Sequence, residues 1–172
     1  DLKRIAAGSS FPMGIFYARE KLAAARAAWK QEGKRGVFTN GCYDILHPGH
    51  IRLLEQARAL GDVLILALNS DASVARLKGP KRPLIAESER AALAQQLEAV
   101  DAVTLFDEDT PRELISVILP DVLVKGADWS HFVAGREEVE AAGGEVKLIP
   151  LEKGYSTTAT VEEIVARRKP AV

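Results

Sequence analysis

The sequence predicts a single Rossmann-like α/β domain, a doubly wound, five-stranded parallel sheet with helices on both faces. Three observations predict it. Apolar runs at Gly36–Phe38, Val63–Leu68, Ala102–Phe106, Asp121–Gly126 and Glu145–Ile149 alternate with helical patterns. The run Val63–Leu68 contains no polar residue, which is the pattern of a strand covered on both faces. The chain has 172 residues, 47% of them apolar, enough for one full core with little room for two. Right-handed crossovers give the strand order 3-2-1-4-5, counting the strand at Gly36 as the first. They also set the carboxyl ends of the first and fourth strands side by side, at the switch point where such sheets bind ligands. The domain is expected over residues 34–172, preceded by an N-terminal segment and edge helix over 1–33.

Taken in order, Tyr17–Gln31 is rich in Ala, Lys, Arg and Glu, and Leu22, Ala25 and Trp29 fall at helical spacing. It reads as an amphipathic helix covering the domain edge. The first strand runs into Thr39-Asn40-Gly41-Cys42-Tyr43-Asp44-Ile45-Leu46-His47-Pro48-Gly49-His50, and the apolar spacing of Ile51–Ala57 then reads as a helix. Proline at the first helical position needs no amide hydrogen, so His47 falls at the N-cap and His50 in the first turn. A helix N-terminus attracts phosphate through unpaired amides and the helix dipole, and two imidazoles beside it can donate to phosphate oxygens. Surface histidines capping a helix are the plain alternative. The crowding of Asn, Gly, Asp, His and Pro into one turn favours phosphate chemistry.

Further along, Asn69-Ser70-Asp71 ends the second strand, where a ligand contact and a helix N-cap are equally good readings. Lys78-Gly79-Pro80-Lys81-Arg82-Pro83 is a semi-rigid basic loop, either simply solvated or suited to a phosphate-bearing substrate. A helix is expected from Glu87 to about Ala99, with Arg90 on it. Thr110-Pro111-Arg112-Glu113 spells a capping box, and a helix is expected from about His131 to Ala142. Trp129 follows the fourth strand and suits either a stacking or a core role. The hydroxyls in Gly154-Tyr155-Ser156-Thr157-Thr158 precede a terminal helix, Val161–Arg168, and can cap it or hold phosphate.

His47-Pro48-Gly49-His50 resembles the His-x-Gly-His signature of nucleotidyltransferases that join a nucleoside monophosphate to a phosphorylated small molecule. The longer string from Phe38 to His50 is similar to the heptose 1-phosphate adenylyltransferase branch. Lys125-Gly126-Ala127-Asp128 resembles that family's Lys-Gly-x-Asp segment, and Gly154–Thr158 its Gly-x-Ser-Thr-Thr motif. The resemblance implies ATP and a sugar 1-phosphate as substrates, with Mg²⁺ held mainly by their phosphates and no dedicated metal ligands. It implies His47, His50 and Lys78 as catalytic groups. Thr39, Asn40, Gly41, Cys42, Arg90, Lys125, Gly126, Tyr155, Ser156, Thr157 and Thr158 would join the histidines in holding nucleotide. Asp44, Asn69, Asp71, Lys78, Arg82, Asp128 and Trp129 would hold the sugar phosphate, with Asp44 near the attacking phosphate. Glu152 and Lys153 stand where related cytidylyltransferases carry an arginine, which weakens the cytidylyl reading. A cytidylyltransferase acting on a small phosphorylated alcohol such as glycerol 3-phosphate, or a non-catalytic nucleotide-binding module, are the alternatives.

Composition limits other classes. A net charge of −1 gives no global attraction to nucleic acid or membrane. The single cysteine, Cys42, excludes an internal disulfide and a cysteine-rich zinc site. No Walker-type loop, dinucleotide fingerprint or nucleophile elbow is present. A cytoplasmic enzyme is expected, self-associating as a homodimer or higher homo-oligomer.

Overall fold

The computed structural model describes residues 14–129 and 131–168. At the centre of its sheet is β2 (Gly36–Gly41), which pairs in parallel with β3 (Val63–Asn69) on one side and β5 (Val122–Gly126) on the other. β4 (Ala102–Phe106) continues outward from β3, and β6 (Glu145–Ile149) from β5. These five strands lie in the order expected. A sixth, β1 (Ile15–Phe16), adds two residues to the far edge beside β4, which the sequence reading did not include. Residues 1–13, the start of the expected N-terminal segment, lie outside the described residues.

Seven α-helices are described: α1 (Arg19–Gln31), α2 (Pro48–Arg58), α3 (Asp71–Lys78), α4 (Glu87–Gln95), α5 (Arg112–Ile118), α6 (Arg136–Ala141) and α7 (Thr157–Arg168). Successive residues of each strand point to opposite faces, so two cores form. On one face Val37, Leu64, Leu66, Leu68, Val122 and Val124 meet Leu54 and Ala57 of α2 and Ala91 and Ala94 of α4. On the other, Phe38, Ile65, Ala67 and Leu123 meet Leu22 of α1, Leu114, Ile115 and Ile118 of α5, and Val139 of α6. Burying each large side chain contributes roughly 1.5–3 kcal/mol.

Several boundaries differ from the sequence reading, each for a tertiary reason. α1 begins at Arg19 because Tyr17 is tied to β4 through Val103 O and the Thr104 hydroxyl. α4 stops at Gln95, not Ala99, since the Gln95 carbonyl accepts from Gly14 N–H and Val100 enters the core. The capping box at Thr110 does not form: Pro111 takes the N-cap of α5 and no side chain caps it. The helix expected from His131 is confined to Arg136–Ala141, because Gly135 precedes it in the left-handed region with φ 84°. A Cβ there would lie 2.6 Å from Ile115 Cγ2, so glycine lets this turn press against α5. α7 begins four residues before Val161, which places the hydroxyl cluster in its first turn.

The chain leaves β2 toward β3 and β4, then returns across the sheet to β5 and β6. A crevice therefore opens between the carboxyl ends of β2 and β5.

Candidate active site

β2 ends at Thr39-Asn40-Gly41, and the chain turns over the sheet edge into α2 with Pro48 at its first position and His47 as N-cap. The cap is reciprocal. His47 Nδ1 accepts from the His50 amide and His50 Nδ1 accepts from the His47 amide, each at 3.3 Å. With Nδ1 used as acceptor, each neutral imidazole carries its proton on Nε2, the donor it can offer a ligand. The two rings stack at 3.7 Å. Tyr43 lies against His50 at 4.8 Å and Tyr155 against His47 at 5.7 Å, completing a column of four rings. Two glycines make room for it: a Cβ on Gly41 would lie 2.8 Å from the Tyr43 ring, and one on Gly49 3.0 Å from the His47 ring. Burial, then the neighbouring His47 and Lys78, push the His50 imidazole down to about 4, and burial lowers His47 as well. Both rings are neutral donors near neutral pH.

Beside the column is a cavity of about 200 Å³ lined by Thr39, Asn40, Gly41, Cys42, Tyr43, Asp44, His50, Leu53, Lys78, Arg82, Lys125, Gly126, Asp128, Leu151 and Thr157. Twelve of the residues singled out in the sequence meet there, from four separate stretches of chain. Three of the lining residues are cations, Lys78, Arg82 and Lys125, in a chain whose overall charge is nearly zero. Burial lowers the Lys125 ammonium from its ordinary value, which bound phosphate would reverse. Asn40 Oδ1 is buried with no hydrogen-bond partner among the described residues, a polar group suited to a ligand donor. Burial raises the Cys42 thiol, so it stays protonated. Leu53, Leu151 and Tyr43 were not singled out in the sequence. Nothing in the local pattern marks Tyr43, which reaches the site through a left-handed backbone, φ 49°.

The C-terminal motif reaches the same place. Thr157 Oγ1 donates to Ile45 O at 3.1 Å, and Arg52 of α2 pairs with Glu152 at 2.6 Å. These contacts draw the start of α7 against the histidine turn.

Asp44 lines the cavity with its carboxylate already engaged by neighbouring groups. Its side chain is 1% exposed and accepts from Arg82 Nε at 2.7 Å and from the Leu84 and Ile85 amides at 2.9 Å. Both carboxylate oxygens are engaged by protein, so Asp44 fastens the basic loop to the cavity wall. Burial alone would raise its pKa, but the two amides and the guanidinium outweigh it and hold the carboxyl below its usual range.

Arg90, expected on the nucleotide site or the helix surface, is 1% exposed and lies beneath the crevice. Its guanidinium donates to the carbonyls of Ile85, Cys42 and Asn69 and to Asp71 Oδ1. It stitches together the ends of β2 and β3, the start of α3 and the basic loop. Asp71 is thereby committed to Arg90, and Glu87 accepts from the Asp71 amide rather than pairing with Arg90. Asn69 is buried, with its amide nitrogen on the Ser73 hydroxyl. Ser156 caps α7 through Ala159 N–H, and neither it nor exposed Thr158 lines the cavity. Trp129 closes a 3₁₀ turn, Ala127–Trp129, and its side chain lies outside the described residues. Among the described residues no cluster of three or more His, Cys, Asp or Glu is placed to hold a metal ion.

A family profile described as cytidylyltransferase-like matches residues 38–163, from β2 into α7. The chain belongs to the cytidylyltransferase-like family. Its histidine turn, basic loop and hydroxyl cluster all fall inside the matched span. Among curated relatives of this cytidylyltransferase-like chain, the bifunctional protein HldE of Azorhizobium caulinodans is 55% identical over 151 residues, 87% of this chain and 32% of that one. HldE of Trichlorobacter lovleyi is 54% identical over 87% of this chain and 30% of its own length. The chain thus spans about a third of these relatives. Among solved structures, a lipopolysaccharide core biosynthesis protein from Thermoplasma volcanium is 32% identical, with a TM-score of 0.58 over 72% of this chain and all of that one. A pantoate-beta-alanine ligase from Francisella tularensis shares the fold alone, with 13% identity and a TM-score of 0.65 over 90% of this chain and 77% of that one. Among the described residues no helix is long and apolar enough to cross a membrane.

Proposed function

We propose that this chain is an adenylyltransferase that joins AMP from ATP to D-glycero-β-D-manno-heptose 1-phosphate, giving ADP-heptose and pyrophosphate. The observation that carries the reading is the reciprocal histidine cap, which leaves Nε2–H free on both rings, with His50 lining a cavity that bears three cations and His47 stacked against it. More than half identity to the bifunctional HldE proteins and the likeness to a lipopolysaccharide core biosynthesis protein support the choice of sugar and base.

In the proposed reaction an oxygen of the sugar phosphate attacks the α-phosphorus of ATP in line. A new P–O bond forms as the α–β bridge breaks, and the bridging oxygen leaves with pyrophosphate. The phosphate monoester is already a nucleophile near neutral pH, so positioning and charge stabilisation suffice without a covalent enzyme intermediate. His47 and His50 donate through Nε2 to the α- and β-phosphate oxygens, whose charge grows in the transition state. Lys78 and Arg82, on the basic loop, hold the incoming phosphate. Lys125 and the first turn of α7 at Thr157 hold the triphosphate. The donor set suits Mg²⁺ held mainly by substrate phosphates and water, with Asp128 the cavity carboxylate nearest to hand for it, since Asp44 is engaged by Arg82. Magnesium there would neutralise phosphate charge.

Pyrophosphate release measured with ATP and CTP, each against heptose 1-phosphate and glycerol 3-phosphate, tests the reading. Turnover is expected with ATP and heptose 1-phosphate. A preference for CTP with glycerol 3-phosphate would replace it with the cytidylyl reading, and no turnover with any pair would favour a binding module.

A further inference from the structure

The two histidines of the cap are not held alike. His50 lines the cavity and has the Tyr43 ring, from its own turn, against one face. His47 has His50 on one face at 3.7 Å, and its other face is covered by Tyr155, which arrives from the far end of the chain with its ring 5.7 Å away and tilted by only 19°. Tyr155 itself does not line the cavity, so its contact with the site runs through His47.

Three features hold Tyr155 in this place. Glu152 pairs with Arg52 at 2.6 Å and Thr157 Oγ1 donates to Ile45 O at 3.1 Å, so the segment carrying Tyr155 is fastened to the histidine turn on both sides of His47. Gly49 supplies the space, since a Cβ there would lie 3.0 Å from His47 Nδ1 and 3.1 Å from Tyr155 Cβ. The glycine of the turn thus admits the tyrosine as well as the imidazole.

The chemistry of His47 explains what such a neighbour does for it. An imidazole turns about χ2 in a broad, roughly two-fold well. The bond that Nδ1 accepts from the His50 amide is long, 3.3 Å, and restrains that rotation weakly. A half-turn would put a carbon where Nδ1 accepts and aim Nε2–H elsewhere. Rings packed on both faces oppose the rotation. They also exclude water, and burial is what lowers His47 from its ordinary 6.5. Once protonated, Nδ1 no longer accepts from the His50 amide.

We propose that Tyr155 is a positioning residue, whose ring holds the His47 imidazole in the orientation and neutral tautomer that aim Nε2–H at phosphate. Its effect on rate rests on the adenylyltransferase reading, and it assigns Tyr155 to His47 rather than to the nucleotide, the role that the sequence resemblance implied. The titratable and charged groups around His47 are His50, Arg52 and Glu55 on α2 and Glu152 and Tyr155 on the C-terminal segment. Removing the Tyr155 ring leaves the other four in place, so the change His47 feels is the loss of cover.

Two-bond ¹H–¹⁵N NMR correlations of the histidine side chains, followed on the full chain from about pH 4 to about pH 8, test this. In the parent, His47 is expected to carry its proton on Nε2 and to titrate below 6.5. Tyr155→Ala should bring both tautomers into view and move the titration up toward 6.5, and Tyr155→Phe, which keeps the ring, should restore the parent signals. Tyr155 is 40% exposed, so truncating it should leave the fold intact. In the pyrophosphate assay Tyr155→Ala should lower kcat by about 10- to 100-fold with KM for ATP changed less than about threefold, again restored by Tyr155→Phe. His47 signals unmoved by Tyr155→Ala, a Tyr155→Phe variant as impaired as Tyr155→Ala, or a raised KM for ATP at unchanged kcat would each overturn the assignment, the last by returning Tyr155 to nucleotide binding. The NMR readout needs no turnover, so a parent inactive with every substrate pair overturns the activity reading while the His47 signals still decide this one.

Discussion

The Asp44 carboxylate sets up a quantitative test of how this site is held together. Asp44→Asn keeps the shape but removes the charge facing Arg82, and the two side chains are only 1% and 12% exposed. Three hydrogen bonds converge on the carboxylate, from Arg82, Leu84 and Ile85, and hydrogen bonds to charged groups are worth about 1.5–3 kcal/mol each. An amide oxygen retains part of this, and Arg82 can swing toward solvent from its place on the rim. A net loss of about 3 kcal/mol follows, near the low end for breaking a buried ion pair. For a domain of this size that corresponds to a fall in Tm of roughly 6–12 °C. Thermal unfolding followed by circular dichroism reads the stability. Hydrogen exchange should show the Leu84 and Ile85 amides losing protection, since the basic loop is released first. Because the carboxyl is held below its usual pKa of 3.8, its contribution is present above that value and is lost as pH falls through the lower folded one. The difference between parent and variant should therefore vanish in acid. A Tm within about 2 °C of the parent at neutral pH, with those amides still protected, would refute the clasp.

The histidine cap predicts an unusual pH profile. With Nε2–H present in the neutral tautomer and His50 titrating at about 4, kcat/KM should stay flat as pH rises through 6.5 and decline only in acid, where protonating Nδ1 breaks the cap. An activity that disappears on raising pH through 6.5 would mean that imidazolium is required. The same depressed value means that stability conferred by neutral His50 is present above about 6.5 and is lost as pH falls toward 4, readable by urea unfolding in that window. His50→Ala should lower kcat by two or more orders of magnitude with little change in ATP affinity, a loss of about 3 kcal/mol specific to the transition state. Unaltered turnover would remove the case for a catalytic pair. Gly41→Ala would place a methyl 2.8 Å from the Tyr43 ring, and displacing that ring from His50 should cost about 1–3 kcal/mol and reduce turnover, read by a thermal melt and the pyrophosphate assay.

The two kinds of information divide along physical lines. Periodicity and punctuation are local, so β3, β4 and β6 were legible nearly to the residue, and the order of the five main strands followed from the handedness of crossovers. Pro48 fixed the His47 cap for the same local reason. Boundaries failed where distant contacts intervened: α4 was cut short by Gly14, α6 by the approach of Gly135 to Ile115, and the Thr110 box by Pro111 taking the cap itself.

Residue roles divided in the same way. Sequence named Asp44, Asp71 and Arg90 as polar groups near one crevice, but it could not show that their partners are one another's loops and carbonyls rather than a ligand. It was silent on Tyr43, whose part depends on a left-handed turn and two glycines clearing space for stacked rings. The sequence alone determined which chemical groups were available and the order of the layers carrying them, because hydrophobic pattern and turn chemistry act within a few residues. Only the tertiary structure decided which of those groups face the cavity and which are consumed in holding it open, because a hydrogen-bonding side chain takes whichever partner folding brings within about 3 Å.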